Sequence, residues 1–136
     1  MFPTRILLAD DGSEDAQHAV KTAIALSTRL ESELHVIYVS PEHPYLHAYY
    51  DLRHREEEQR LRKEDQRKLD EYVDHIREAG GIVAQAYLKM GEAAKQIVEL
   101  AEELRVDLAV LGSRGHAALR RALMGSVSTS VLTAPS

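Results

Sequence analysis

The residues best suited to chemistry are glycines and hydroxyls near the end of the chain. Gly112 and Gly115 stand three apart directly after a short apolar run, and Gly125-Ser126-Val127-Ser128 follows a nine-residue spacer. A Gly-x-x-Gly turn lets the backbone approach a ligand closely, because no side chain blocks it, and its amides can form an anion-binding concavity. A helix opening at Ser126 would add free amides, a partial positive charge and two hydroxyls. Arg114 adds one fixed charge. Together these groups suit phosphate. The other cluster is Asp10-Asp11-Gly12-Ser13, after the first apolar run. Adjacent residues at a strand end point opposite ways, so one acid facing a site and one capping the turn is the better reading than a catalytic carboxylate pair. The pattern is no P-loop, since Gly-x-x-x-x-Gly-Lys is missing, and no Gly-x-Gly-x-x-Gly follows the first strand.

These clusters act on one ligand only if the fold joins them. Arg5 to Ala9 reads RILLA, a run that suits a strand buried on both faces of a parallel sheet. A helix follows, with Val20, Ala23, Ile24, Ser27 and Leu30 on its inner face and Ser13 able to cap it. Glu33 to Ser40 is a second strand, ended by Pro41 and Pro44. From about Asp51 to Ala79 the chain is charged and helical, with Leu61, Leu69, Tyr72, Val73 and Ile76 as its apolar stripe. That stripe is thin before Leu69, so the first half should lie mostly in solvent, and the mixed charges of residues 53–71 read as a solvated face. Gly80-Gly81 stops the helix. Ile82 to Leu88 is a third strand, Gly91 opens a helix with Ala94, Ile97, Ala101 and Leu104 inward, and Asp107 to Leu111 is a fourth strand. A Gly-rich loop over residues 112–125 then leads into a last helical piece from Ser126 to about Leu132. This order predicts an α/β fold with an open parallel sheet in the order 3-2-1-4 and helices on both faces. Ligands of such sheets bind beyond the carboxyl ends of the strands, where the strand order reverses. No linker or repeat interrupts the chain, so residues 1–136 read as a single domain.

Composition narrows the function. Lys and Arg number 17 against 22 Asp and Glu, a net charge of -5 that argues against a chain built to coat nucleic acid or an anionic membrane. The chain has no cysteine, which excludes disulfides, zinc ribbons and thiol nucleophiles and fits a reducing cytoplasm. No apolar run has the length of a membrane span, and the start Met1-Phe2-Pro3-Thr4-Arg5 does not resemble a signal peptide. His43, His47 and His54 lie near one another among tyrosines, but Pro44 disfavours the helix that would align them as metal ligands, and His116 reads as a spacer residue. Ser113 and Ser126 have no evident His and acid partners, so no triad is expected.

The pattern Gly112-x2-Gly115-x9-Gly125-Ser126 resembles that of the universal stress protein family, in its ATP-binding branch. The turn Asp11 to Ser13, the opening Gly91-Glu92-Ala93 and Gly125-Ser126-Val127-Ser128 share in the resemblance, which spans nearly the whole chain. It implies ATP with Mg²⁺ or Mn²⁺ across the carboxyl edge of the sheet. By position, Asp11 resembles the acid near the ribose and the phosphate-bound metal, while Ala9 and Val39 resemble the adenine walls, Val39 also offering backbone hydrogen bonds. Gly112, Arg114 and Gly115 resemble the ribose–phosphate loop, and Gly125, Ser126, Val127 and Ser128 the phosphate-binding helix start. The resemblance implies a cytoplasmic, homodimeric regulator of stress responses with a regulatory protein partner of unknown identity. The residues offer no obvious base or water-positioning group, so chemistry is limited to slow ATP hydrolysis or autophosphorylation. A dimeric interaction module that binds no nucleotide and a slow ATPase are the alternatives. Family members usually continue past Ala-Pro with a fifth strand, whereas this sequence stops at Thr133-Ala134-Pro135-Ser136. The fifth strand is therefore expected to be missing or supplied from elsewhere, which puts the usual dimer in doubt.

Overall fold

A computed structural model describes residues 4–10, 16–40, 52–111 and 130–133. Its elements are β1 (Arg5–Asp10), α1 (Ala16–Leu30), β2 (Glu33–Ser40), α2 (Leu52–Glu78), β3 (Val83–Met90), α3 (Ala93–Leu104), β4 (Leu108–Leu111) and β5 (Ser130–Thr133). The five strands form one sheet in the order β3-β2-β1-β4-β5, and every pairing is parallel. The expected order 3-2-1-4 is present, with helices on both faces.

Two cores follow from the two faces of β1. Register places Leu8 level with Val36 on one side and Val110 on the other, and this row packs under Ala19, Val20 and Ala23 of α1 and Leu69, Val73 and Ile76 of α2. Leu7, Ala9, Ile37, Val39, Ala109 and Leu111 face the other way, onto Ile97, Leu100 and Ala101 of α3. Successive residues of β1 thus belong to different cores, as the period of a strand requires. Helix α2 divides as its composition predicts. Its first half is laced by surface pairs of Arg60 with Glu57 and Glu64, and of Arg62 with Glu58, and its second half holds the buried apolar stripe. Gly81 turns the chain from α2 toward β3, where an added Cβ would meet Ile76 Cγ2 at 2.7 Å and Ile24 Cγ1 at 3.0 Å.

The structure corrects the expectations at three places. Leu30 was expected on the inner face of α1 but is 52% exposed, because it ends the helix and lies past Ser27, the last buried position. Ile82 was expected in the third strand but precedes β3 and is 84% exposed. The third correction concerns the end of the chain. The fifth strand is not missing: Ser130–Thr133 pairs with β4 along its whole length, Leu108↔Ser130 to Leu111↔Thr133. The helix expected from Ser126 to Leu132 therefore cannot reach that far. Serine, threonine and valine are weak helix formers, and the unpaired edge of β4 offers them a ladder instead. Residues 112–129 join the carboxyl end of β4 to the amino end of β5. Among the described residues, no helix is long and apolar enough to cross a membrane.

The doubly covered sheet sets a stability contrast. Leu8 is fully buried between both neighbours, so Leu8→Ala should cost about 2–5 kcal/mol, whereas Leu30→Ala should stay within about 0.5 kcal/mol. Urea unfolding of the two variants checks this, and similar midpoints would contradict the core assignment.

Candidate functional site

The strand order reverses at β1. From β1 the chain moves outward through β2 to β3, then returns across them to β4 on the other side of β1. The carboxyl ends of β1 and β4 are therefore neighbours, and it is beyond such a reversal that open parallel sheets bind their ligands. Ala9, near the end of β1, is buried and small, and it stands level with Ile37 and Tyr87. Leu111, the last residue of β4, is also buried. Among the described residues, β2 pairs with β1 as far as Asp10↔Tyr38, and Val39 and Ser40 pair with Lys89 and Met90 of β3. Val39 follows the last described β1 pair, with its side chain in the α3-side core. Beyond β3, Gly91 at φ 133 donates its amide to the Ser40 carbonyl at 2.9 Å. Only glycine adopts that φ readily, which accounts for the Gly91-Glu92-Ala93 opening of α3.

Of the expected site residues, Ala9 and Val39 stand at this edge. Asp11 directly follows β1 and Gly112 directly follows β4, and both lie outside the described residues, as do Arg114, Gly115, Gly125, Ser126, Val127 and Ser128. Among the described residues, no three His, Asp or Glu side chains are grouped to hold a metal. Sequence reasoning missed one polar pair at the same edge. Ser40, the last residue of β2, donates through Oγ to Asp65 Oδ2 at 2.6 Å, and both residues are buried. The signal was present in the spacing, since Asp65 falls midway between Leu61 and Leu69 on the inward stripe of α2.

An open parallel sheet with helices on both faces and a reversal of strand order at β1 defines a class of α/β folds. The model of the universal stress protein family matches residues 3–135. A universal stress protein of Methanocaldococcus jannaschii is 30% identical over 128 residues, spanning 94% of this chain and 75% of that relative. This chain belongs to the universal stress protein family. The solved structure of a family member from Burkholderia pseudomallei is similar with a TM-score of 0.70 at 26% identity, over 98% of this chain and 96% of that one. A family protein from Arabidopsis thaliana, solved with AMP bound, shares the fold at a TM-score of 0.66 and 18% identity, over 96% of this chain and 90% of that one. Two others of the same fold were solved with cAMP and, from Archaeoglobus fulgidus, with dAMP, at TM-scores of 0.66 and 0.65 and identities of 21% and 17%.

A network of charges closes the opposite, amino edge. Arg5 donates from Nε to Glu33 Oε1 at 2.9 Å and from a guanidinium nitrogen to the Leu104 carbonyl at 2.7 Å, while its amide donates to Asp107 Oδ2 at 3.0 Å. Glu33 Oε1 also lies 3.5 Å from His35 Nε2, and His35 Nδ1 lies 3.2 Å from Tyr87 Oη. Burial pushes the Tyr87 phenol up from its ordinary value. Hydrogen bonds from Arg5 and then His35 hold the Glu33 carboxyl below its ordinary 4.5. A depressed carboxyl adds stability above its unfolded-state pKa and loses it as pH falls through the folded-state value. Glu33→Gln should therefore lower the urea midpoint at pH 7, and the gap to the parent should close as the pH falls below 4.5. A gap that stays constant from pH 7 into that acid range would show that the ion pair is not its source.

Proposed function

We propose that this chain binds an adenine nucleotide, ATP with Mg²⁺ or Mn²⁺, along the carboxyl edge of its sheet and serves as a cytoplasmic regulator of stress responses. The observation that carries this reading is the reversal of strand order at β1. Asp11 and Gly112 follow in sequence the last described residues of the neighbouring strands β1 and β4, and Val39 lies near the carboxyl end of β2, which supports the reading. Ala9 and Val39 suit an adenine, since one is small, the other is apolar, and both lie near the carboxyl ends of their strands. The AMP, cAMP and dAMP held by proteins of the same fold support the choice of base. In this reading Gly112, Arg114 and Gly115 follow the ribose and phosphates. The amides of Gly125, Ser126, Val127 and Ser128 take the distal phosphates, and Asp11 serves the ribose and the metal carried by the phosphates. These groups bind and orient, and none of them is a strong base, so turnover is limited to slow hydrolysis or autophosphorylation. Homodimerisation and a regulatory protein partner complete the proposed role.

Calorimetry with ATP and GTP in the presence of Mg²⁺ tests the reading. ATP should bind more tightly, and Gly115→Val should abolish binding in a folded protein, because a side chain there takes the space of the phosphates. Equal affinities for ATP and GTP, or no affinity for either, would support the interaction module without nucleotide. Ser126→Ala and Ser128→Ala keep the amides and lose the hydroxyls, so each should weaken ATP about tenfold and AMP less. Equal losses for ATP and AMP would move the phosphates away from these serines.

A further inference from the structure

We infer that Asp65 is a positioning residue for base recognition: through Ser40 it holds the end of β2, and with it the Val39 backbone that reads the adenine. The inference rests on the nucleotide reading above.

Asp65 stands out on α2. Its neighbours Glu57, Glu58, Glu64 and Glu71 all form surface pairs with arginines one turn away. Asp65 points inward instead, only 7% exposed, and its described hydrogen bond is the one from Ser40. A polar side chain at an inward position costs stability relative to an apolar one unless it is hydrogen-bonded. Ser40 meets that need and is itself 1% exposed.

The bond has more to do here than satisfy two polar groups. A cavity of about 390 Å³ lies beside it, lined by Ser40, Asp65, Gln66, Leu88 and Met90 among others. The next buried apolar anchor of the helix is Leu69, one turn further on. The Ser40–Asp65 bond links α2 to the end of β2. Among the described residues, β2 pairs with β1 as far as Asp10↔Tyr38. The described ties at the Val39–Ser40 end include the β3 ladder, the Gly91 amide on the Ser40 carbonyl, and Asp65 on the Ser40 hydroxyl. Removing the last of these takes one buried tie from the residue next to Val39. The effect should fall on the base and not on the phosphates.

The test titrates the parent, Ser40→Ala, Asp65→Leu and Asp65→Asn with AMP and GMP by calorimetry, with thermal unfolding on the same samples. Asparagine keeps a carbonyl oxygen that accepts from Ser40, so Asp65→Asn should retain parental affinity and selectivity. Ser40→Ala and Asp65→Leu should each lose about tenfold in AMP affinity and lower the AMP-to-GMP preference. Ser40→Ala removes a single oxygen, so it carries the test if Asp65→Leu fails to fold. A folded Ser40→Ala with parental affinity and preference would overturn the inference, and so would an equal loss for AMP and GMP, which marks general loosening. A parent that binds neither nucleotide would overturn the proposed function and this inference with it. A parent that prefers AMP while Ser40→Ala keeps that preference would overturn the inference alone.

Discussion

Burial of β1 on both faces is the constraint on which the rest of the structure depends. Ile6, Leu7 and Leu8 are fully buried in succession, and they divide between two cores. Each such side chain contributes about 1.5–3 kcal/mol when it leaves water, but a strand can bury both faces only with helices above and below and a strand on either side. β2 and β4 supply the sides, α1 and α2 one cover, and α3 the other. With parallel strands on both flanks and helical crossovers over both faces, the centre of the sheet is closed to ligands. The edges remain, and in such sheets ligands bind beyond the carboxyl ends of the strands where the strand order reverses, which here is at β1.

The two edges are finished in different ways. At the amino edge Arg5 ties β1 to Glu33 of β2 and to the carbonyl at the end of α3, and Asp107 accepts from the Arg5 amide just before β4 begins. Exposed ion pairs contribute little individually, and here the Arg5–Glu33 pair is joined by the hydrogen bonds of Arg5 to the Leu104 carbonyl and to Asp107. At the carboxyl edge the described ties include the Gly91 amide to the Ser40 carbonyl and the Ser40 hydroxyl to Asp65.

Helix α2 shows how charge and burial divide one element. Its exposed arginines and glutamates pair along the helix at spacings of three and four, which supports the helix locally without fixing where it sits. Position comes from Leu69, Val73 and Ile76 on the sheet and from Asp65 on Ser40. The tie at Asp65 lies at the carboxyl edge, so the helix that covers one core also reaches the proposed site.

Local pattern alone determined most of the architecture. RILLA between a polar start and Asp-Asp-Gly-Ser could only be a short buried strand, and ELHVIYVS between α1 and the first proline carries the same message. The inward stripe Ala94, Ile97 and Ala101 follows from helical period. Adjacent strands on either side of β1 follow from right-handed crossovers. Ala9 and Val39 were named through the resemblance to the family, and both lie near the carboxyl ends of their strands. Tertiary structure decided what depends on a partner across the fold. Ser130–Thr133 is a strand because the edge of β4 is there to receive it, and four residues carry too little periodicity to announce that. Leu30 and Ile82 are exposed because they lie at or just past the ends of their elements, a matter of length relative to neighbours and not of residue type. Asp65 belongs by type to the charged surface of α2. Its place midway between Leu61 and Leu69 turns it inward, but that Ser40, 25 residues earlier in the chain, meets it there at the end of β2 is contained in no local pattern.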